Sequence, residues 1–204
     1  MEKKLHWEKI YQTKKNDGVS WFQEIPTESI ELIKKYSSDN SDKIIDVGCG
    51  KGFLADNLLE SKFKDITLVD ISSNALSEIN NRLKNQYLNF IETDILDFNS
   101  DYKYDIWHDR AVFHFITENK SIDKYISLCN NYINRGGKLI IGTFAEDGPL
   151  KCSGLEIKRY SINDLVNLFK ENFELAEGFK MLHQTPFDTQ QSFTFCVLRK
   201  FTDC

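Results

Sequence analysis

The residues of this chain best suited by type and spacing to chemistry gather in a few short runs. Asp46-Val-Gly-Cys-Gly-Lys-Gly52 joins an apolar stretch to an amphipathic one. Its glycines let a backbone turn sharply and approach a ligand closely at the carboxyl end of a sheet. About twenty residues beyond Gly48 the next apolar stretch ends in Leu68-Val-Asp70, where a carboxylate can accept hydrogen bonds from both hydroxyls of a ribose. That pair alone fits any nucleotide. Three details narrow it. The dinucleotide fingerprint wants a third Gly or Ala three residues after its second glycine, and Phe53 stands there, leaving a GxGxG spacing. Asp46, two residues before the first glycine, would repel a pyrophosphate and suits a cationic amino group. Glu92-Thr-Asp94-Ile95 closes a third apolar stretch with an acid able to accept from the exocyclic amine of adenine.

A ligand with an adenosine and an ammonium group, but no phosphate, is S-adenosylmethionine, and the expected cofactor is that molecule with no metal. From Asp42 onward the motifs resemble the class I methyltransferase superfamily. The resemblance implies that Asp46 lies near the methionine amino group, with Gly48, Cys49 and Gly50 along the same arm. It also implies that Asp70 holds the ribose, Ile71 packs on the adenine, and Asp94 and Ile95 meet the adenine edge. His108 would touch the carboxylate arm through its backbone. The N-terminal Trp7-Glu-Lys-Ile-Tyr11 and Val19-Ser-Trp-Phe22 are similar to the cap of small thiol-type methyltransferases, which makes Trp7, Tyr11 and Trp21 cofactor contacts. Aromatics that simply pack on the sheet are the open alternative.

Methyl transfer from a sulfonium is an in-line displacement, so the protein chiefly positions the acceptor and excludes water. Tyr104-Asp-Ile-Trp-His-Asp-Arg-Ala-Val-Phe-His114 carries no Asn-Pro-Pro-Tyr signature of exocyclic-amine methylation. Its Asp109-Arg-Ala-Val-Phe113 resembles the acid-x-small-x-aromatic motif of seven-strand protein lysine methyltransferases, with Ala111 where glycine is usual. The resemblance makes Asp109 the expected base or orienting group for a lysine amine, Phe113 a wall for its stem, and His114 a second choice. This run and Cys152-Ser-Gly-Leu155 are similar to bacterial relatives of the citrate-synthase lysine methyltransferase, which points to a protein lysine. A small thiol or another small-molecule nucleophile is the alternative acceptor, and a module that only binds the cofactor is the non-enzymatic reading. Cys152 and His183 are expected to be structural. A Tyr-x-x-x-Lys at Tyr11 and Lys15 precedes the first strand, so a short-chain dehydrogenase is set aside.

The elements that must position these residues alternate apolar and amphipathic runs, the pattern of βα units around a parallel sheet. Strands are expected at 43–47, 65–70, 88–92, 104–108 and 137–143, and helices near 53–61, 74–83 and 121–134, with Gly136-Gly137 closing the last helix. A helix over 163–172, capped by Ser161, precedes strands at 173–180 and 192–200 that pair antiparallel through a loop at 183–190. The expected fold is therefore α/β: a Rossmann-like seven-stranded sheet, mostly parallel, ending in an antiparallel hairpin, with helices on both faces. Residues 1–204 read as one methyltransferase domain, a helical cap over 1–41 followed by the core over 42–204, with Pro26 and Thr27 opening the second cap helix. The long loops at 146–155 and 183–190 are expected to form the substrate mouth. A net charge of −5 without a basic stripe disfavours a nucleic-acid partner. No apolar run reaches membrane-spanning length, and the N-terminus lacks a signal core. The five cysteines, with no CxxC spacing, read as free thiols in a cytoplasmic monomer or weak dimer.

Overall fold

In the computed structural model, which describes residues 2–202, the chain folds around one seven-stranded sheet. Its strands are β1 (Ile44–Val47), β2 (Ile66–Asp70), β3 (Leu88–Glu92), β4 (Tyr104–Arg110), β5 (Ile133–Phe144), β8 (Phe173–Gln184) and β9 (Gln190–Lys200). A two-stranded ribbon, β6 (Lys151–Cys152) and β7 (Leu155–Glu156), lies apart from it. The sheet order is β3-β2-β1-β4-β5-β9-β8, parallel as far as β5 and antiparallel from there on. Residues of successive parity along β1 face opposite sides, so Ile44 and Ile45 enter two different cores. Helices α2 (Thr27–Tyr36), α3 (Leu54–Glu60) and α4 (Ser73–Leu83) contribute to the core on one face. Helices α5 (Asn119–Tyr132) and α6 (Ile162–Phe169) contribute to the other. Burial on both faces explains why the parallel strands are continuous apolar runs.

The expected α/β architecture and its antiparallel end are observed, as are the Ser161 cap and the helix beginning after Pro26. Ser161 and Asp164 form a reciprocal capping box. Two expectations about connections need correction. Gly136-Gly137 does not close α5, which ends at Tyr132 when Ile133 turns extended and starts β5. The glycines lie at an irregularity in the β4–β5 ladder, where Gly136 adopts φ +74° and a side-chain carbon on Gly137 would sit 2.9 Å from the Asn134 carbonyl oxygen. The loop at 183–190 is also shorter than expected, because the ladder runs out to Gln184↔Gln190. The Thr185 amide donates to the Thr189 carbonyl at 2.8 Å, and the two hydroxyls pair across the turn. The 146–155 segment is likewise partly ordered, by the β6–β7 ribbon.

β1 lies between β2 and β4, so the connections leaving the carboxyl ends of β1 and β4 diverge there. A crevice at such a switch point is the place where an open α/β sheet takes a ligand. Helix α1 (Glu2–Thr13) buries none of its residues in the core and packs instead across α4, over that crevice.

Candidate active site

The turn after β1 is shaped by two glycines that nothing larger could replace. Gly48 sits at φ +64°, and a side-chain carbon there would lie 2.0 Å from Val112 Cγ2. Gly50 sits at φ +54°, and the same carbon would meet the Tyr11 hydroxyl at 2.6 Å. The Gly48 and Cys49 amides both donate to the Val69 carbonyl, tying the turn to β2. Asp70 completes the tie. Its Oδ2 accepts the Gly50 amide at 2.9 Å and its Oδ1 accepts the Ser72 amide at 2.8 Å. Burial pushes the Asp70 carboxyl up to about 6, against those two amides and with Asp46 and Glu8 adding to the rise.

Asp46 is 6% exposed, and its Oδ1 lies 2.7 Å from His108 Nδ1. His108 Nε2 lies 2.8 Å from the Ser29 hydroxyl on α2. The order Asp–His–Ser is that of a nucleophilic triad. Ser29, however, is only 1% exposed, which leaves a substrate carbonyl no approach. The relay instead fixes the orientation of Asp46, whose Oδ2 takes no hydrogen bond among the described residues.

Two clefts of about 740 Å³ and 820 Å³ open beside this turn. Asp46, Cys49, Gly50 and His108 line the first. Asp70, Ile71, Asp94 and Ile95 line the second, together with Trp7. Tyr11, Trp21, Gly48 and Arg110 line both, so the clefts are two halves of one groove with these residues at the waist. All twelve residues expected to touch the cofactor therefore face the groove. Trp7 is stacked on Tyr11 at 6.1 Å between ring centres and meets Trp21 and Phe115 edge-on at 5.9 Å and 5.2 Å. Trp7 therefore borders the cleft and also packs on neighbouring aromatics.

The groove fits S-adenosylmethionine by its donor set. One end offers carboxylates for hydroxyls and an amine, and the other offers an acid with a spare oxygen for an ammonium. At the waist, aromatic rings suit a sulfonium cation.

The acceptor side departs from expectation. Asp109 and His114 line neither cleft, and both are fully buried. Asp109 accepts the Val112 and Phe113 amides at 3.0 Å and 3.2 Å and the Tyr125 hydroxyl at 2.6 Å. It points from β4 into the α5-side core, locks the turn that follows, and cannot reach an incoming amine. Burial raises its carboxyl to about 6, opposed by those hydrogen bonds. Phe113 belongs to the same core and walls no lysine stem. His114 is wedged between Phe115 and Phe144, and burial beside Arg110 drives its pKa down to about 3. A histidine that stays neutral and enclosed serves as packing. His183, as expected, is structural: its Nε2 lies 2.8 Å from the Ser20 carbonyl oxygen. Cys152 is buried but borders the second cleft, and burial raises its thiol to about 12. Cys49, Cys129, Cys152 and Cys196 are unpaired, Cys204 lies outside the described residues, and no metal-binding cluster occurs among those described.

Sequence reasoning passed over Arg110. It ends β4 at the waist of the groove, its Nη1 donates to the Trp21 carbonyl at 3.0 Å, and its guanidinium lies 5.0 Å from the centre of the Phe193 ring. Its Nη2 is sealed from solvent with no partner. Read as an alternating strand, residues 104–110 could have shown it, since Arg110 shares a face with His108 rather than with Asp109.

A family model described as a methyltransferase domain matches residues 38–195. The chain belongs to this family, the class I S-adenosylmethionine-dependent methyltransferases. The malonyl-[acyl-carrier protein] O-methyltransferases 2 and 1 of Ilyobacter polytropus are each 28% identical to it, over 107 and 175 residues. Those matches cover 51% and 78% of this chain but only 40% and 62% of the relatives. The eEF1A lysine and N-terminal methyltransferase of Mus musculus is 21% identical over 156 residues, covering 72% of this chain and 22% of that protein. The N-methyltransferase NodS of Bradyrhizobium japonicum, solved with S-adenosyl-L-homocysteine, superposes with a TM-score of 0.73 at 15% identity, covering 96% and 98% of the two chains. That likeness is one of fold.

Proposed function

We propose that this protein transfers the methyl group of S-adenosylmethionine to a nucleophile admitted at the waist of the groove. The observation that carries this reading is that groove: one continuous surface with Asp70 and Asp94 at one end, Asp46 at the other, and the Gly48–Gly50 turn between. Asp70 takes the ribose hydroxyls, Ile71, Asp94 and Ile95 the adenine, and Asp46, held by His108 and Ser29, the amino group. The cofactor supplies an electrophilic methyl group on a sulfonium. Trp7, Tyr11 and Trp21 close over the groove and exclude water, which makes residues 1–41 a cap on the core at 42–204 within one domain. The unpaired thiols support a reducing, cytoplasmic setting, and the net charge of −5 supports a partner other than nucleic acid. Among the described residues no helix is long and apolar enough to cross a membrane.

A protein lysine is the second reading of the acceptor, favoured by the mouse relative. Against it stands the enclosure of Asp109, the base that reading needs. The test is incubation with methyl-labelled cofactor and cell extract, followed by separation of proteins from metabolites. Label in either fraction supports methyl transfer, and label on protein that survives mild base supports the lysine reading. No label in either fraction, from protein that also fails to bind S-adenosylhomocysteine, would refute the proposal.

A further inference from the structure

Arg110 carries a charge that the protein itself leaves unanswered. Among the described residues it makes no ion pair. It has the Trp21 carbonyl, the face of Phe193 and a sealed, partnerless Nη2. Glu28 and Asp46 act on it only from a distance, and burial lowers its pKa to about 10 without neutralising it. Partly exposed at the groove but with Nη2 sealed and no ion pair, this guanidinium is unfavourable unless a counter-ion arrives. Arg110 stands at the waist shared by both halves of the groove, among Tyr11, Trp21 and Gly48.

Two other ionisable groups near Arg110 argue in the same direction. Burial raises the Tyr11 hydroxyl well above its ordinary value and the Cys152 thiol to about 12, so both stay protonated. Asp109 and His114, the expected bases, are enclosed elsewhere. An acceptor that must first lose a proton finds no free base at this position. A carboxylate needs none: it is ionised at neutral pH, and a guanidinium is its natural partner.

We propose that Arg110 is the anchor for an acceptor carboxylate, which makes the protein a carboxyl O-methyltransferase. One carboxylate oxygen forms the new bond to the methyl carbon while the carbon–sulfur bond breaks. The bonding pair leaves with sulfur as a neutral thioether, and the product is a methyl ester with no proton released. Trp7, Trp21 and Phe115 line the approach, so the carboxylate is borne on an apolar chain or ring. The exposed Lys14 and Lys15 line the first cleft together with Asp46 and would answer the cofactor's own carboxylate.

The inference rests on the methyl-transfer reading, and binding separates the two. Protein saturated with S-adenosylhomocysteine is titrated calorimetrically with hexanoate and with hexylamine, for the natural chain, Arg110→Gln and Arg110→Lys. The expected result is that hexanoate binds and hexylamine does not. Arg110→Gln should weaken hexanoate about tenfold or more while S-adenosylhomocysteine affinity stays within about threefold, and Arg110→Lys should lose less. Hexylamine binding as tightly as hexanoate, or no hexanoate binding, overturns the proposal. So does an Arg110→Gln variant that loses S-adenosylhomocysteine instead, since Arg110 would then hold the cofactor's carboxylate. Failure of the natural chain to bind S-adenosylhomocysteine at all refutes the methyl-transfer reading itself.

Discussion

Three neighbouring acids and bases on β4 have separate fates, decided by which side of the strand each occupies. His108 faces the groove and holds Asp46, Asp109 faces the core and holds a turn, and Arg110 returns to the groove. The carboxylate of Asp109 is the hub of a buried network with the Tyr125 hydroxyl, which also accepts from the Trp107 indole at 3.1 Å. Removing it leaves two amides and a hydroxyl without partners. Asp109→Ala should therefore lose about 3 kcal/mol or more of stability in a urea titration. A variant as stable as the natural chain but slow in transfer would restore Asp109 to the acceptor site. Asp70 gives a pH dependence with two signs. Its native pKa of about 6 lies above the unfolded value, so between roughly pH 4 and 6 the native state holds a proton the unfolded chain has lost. Its contribution to stability falls as pH rises through that window. Cofactor affinity moves the other way, because the ionised carboxylate is the better acceptor for ribose hydroxyls. S-adenosylhomocysteine should bind about tenfold more weakly at pH 5 than above pH 7. A flat profile would remove Asp70 from the ribose.

At the scale of elements, one side chain clamps α1 to the start of α4. Glu8 on α1 accepts the Ser73 amide and hydroxyl at 2.8 Å and 2.9 Å and the Ser72 hydroxyl at 3.0 Å, and it also bonds Asn74. These groups form the first turn of α4, whose amides lack partners within the helix and favour an anion. Hydrogen bonds from Asn74, Ser73 and Ser72 overcome the burial that opposes them and bring Glu8 down to about 2. Glu8→Ala should free α1 from α4, seen as faster amide exchange over residues 2–13 with β1–β5 unchanged. Unaltered exchange in α1 would show that its other ties, the Lys4–Glu92 ion pair and the packing of Trp7 and Tyr11, hold it without Glu8. The same clamp should weaken as pH falls from about 4 toward 2, where Glu8 takes up its proton. None of this was visible in the sequence, where Glu8 is one exposed-looking acid in a short, weakly amphipathic run. Local cues succeeded where the physics is local, as at the Ser161 box and the start of α2. They failed at Gly136-Gly137, where the demand for glycine came from the positive φ of Gly136 and from the Asn134 and Asp105 carbonyls crowding Gly137, and not from a helix end.

At the scale of the whole molecule, the sheet order places the switch point between β1 and β4 and so fixes where a ligand can lie. That much was legible early, because the apolar runs, the glycine turn and the acids closing β1, β2 and β3 recur at positions set by strand length. The acceptor side was less legible. It depends on which face of β4 meets the groove: alternation groups Arg110 with His108, but a strand buried on both faces shows no polar pattern to say which face that is. The cofactor half of the account therefore supports its most direct test: calorimetric titration of the natural chain and of Asp70→Asn with S-adenosylhomocysteine at neutral pH. One site per chain is expected, weakened about tenfold or more in Asp70→Asn, with both proteins folded by circular dichroism. No binding to the folded natural chain, or equal affinity in the two, would contradict the placement of the cofactor in this groove.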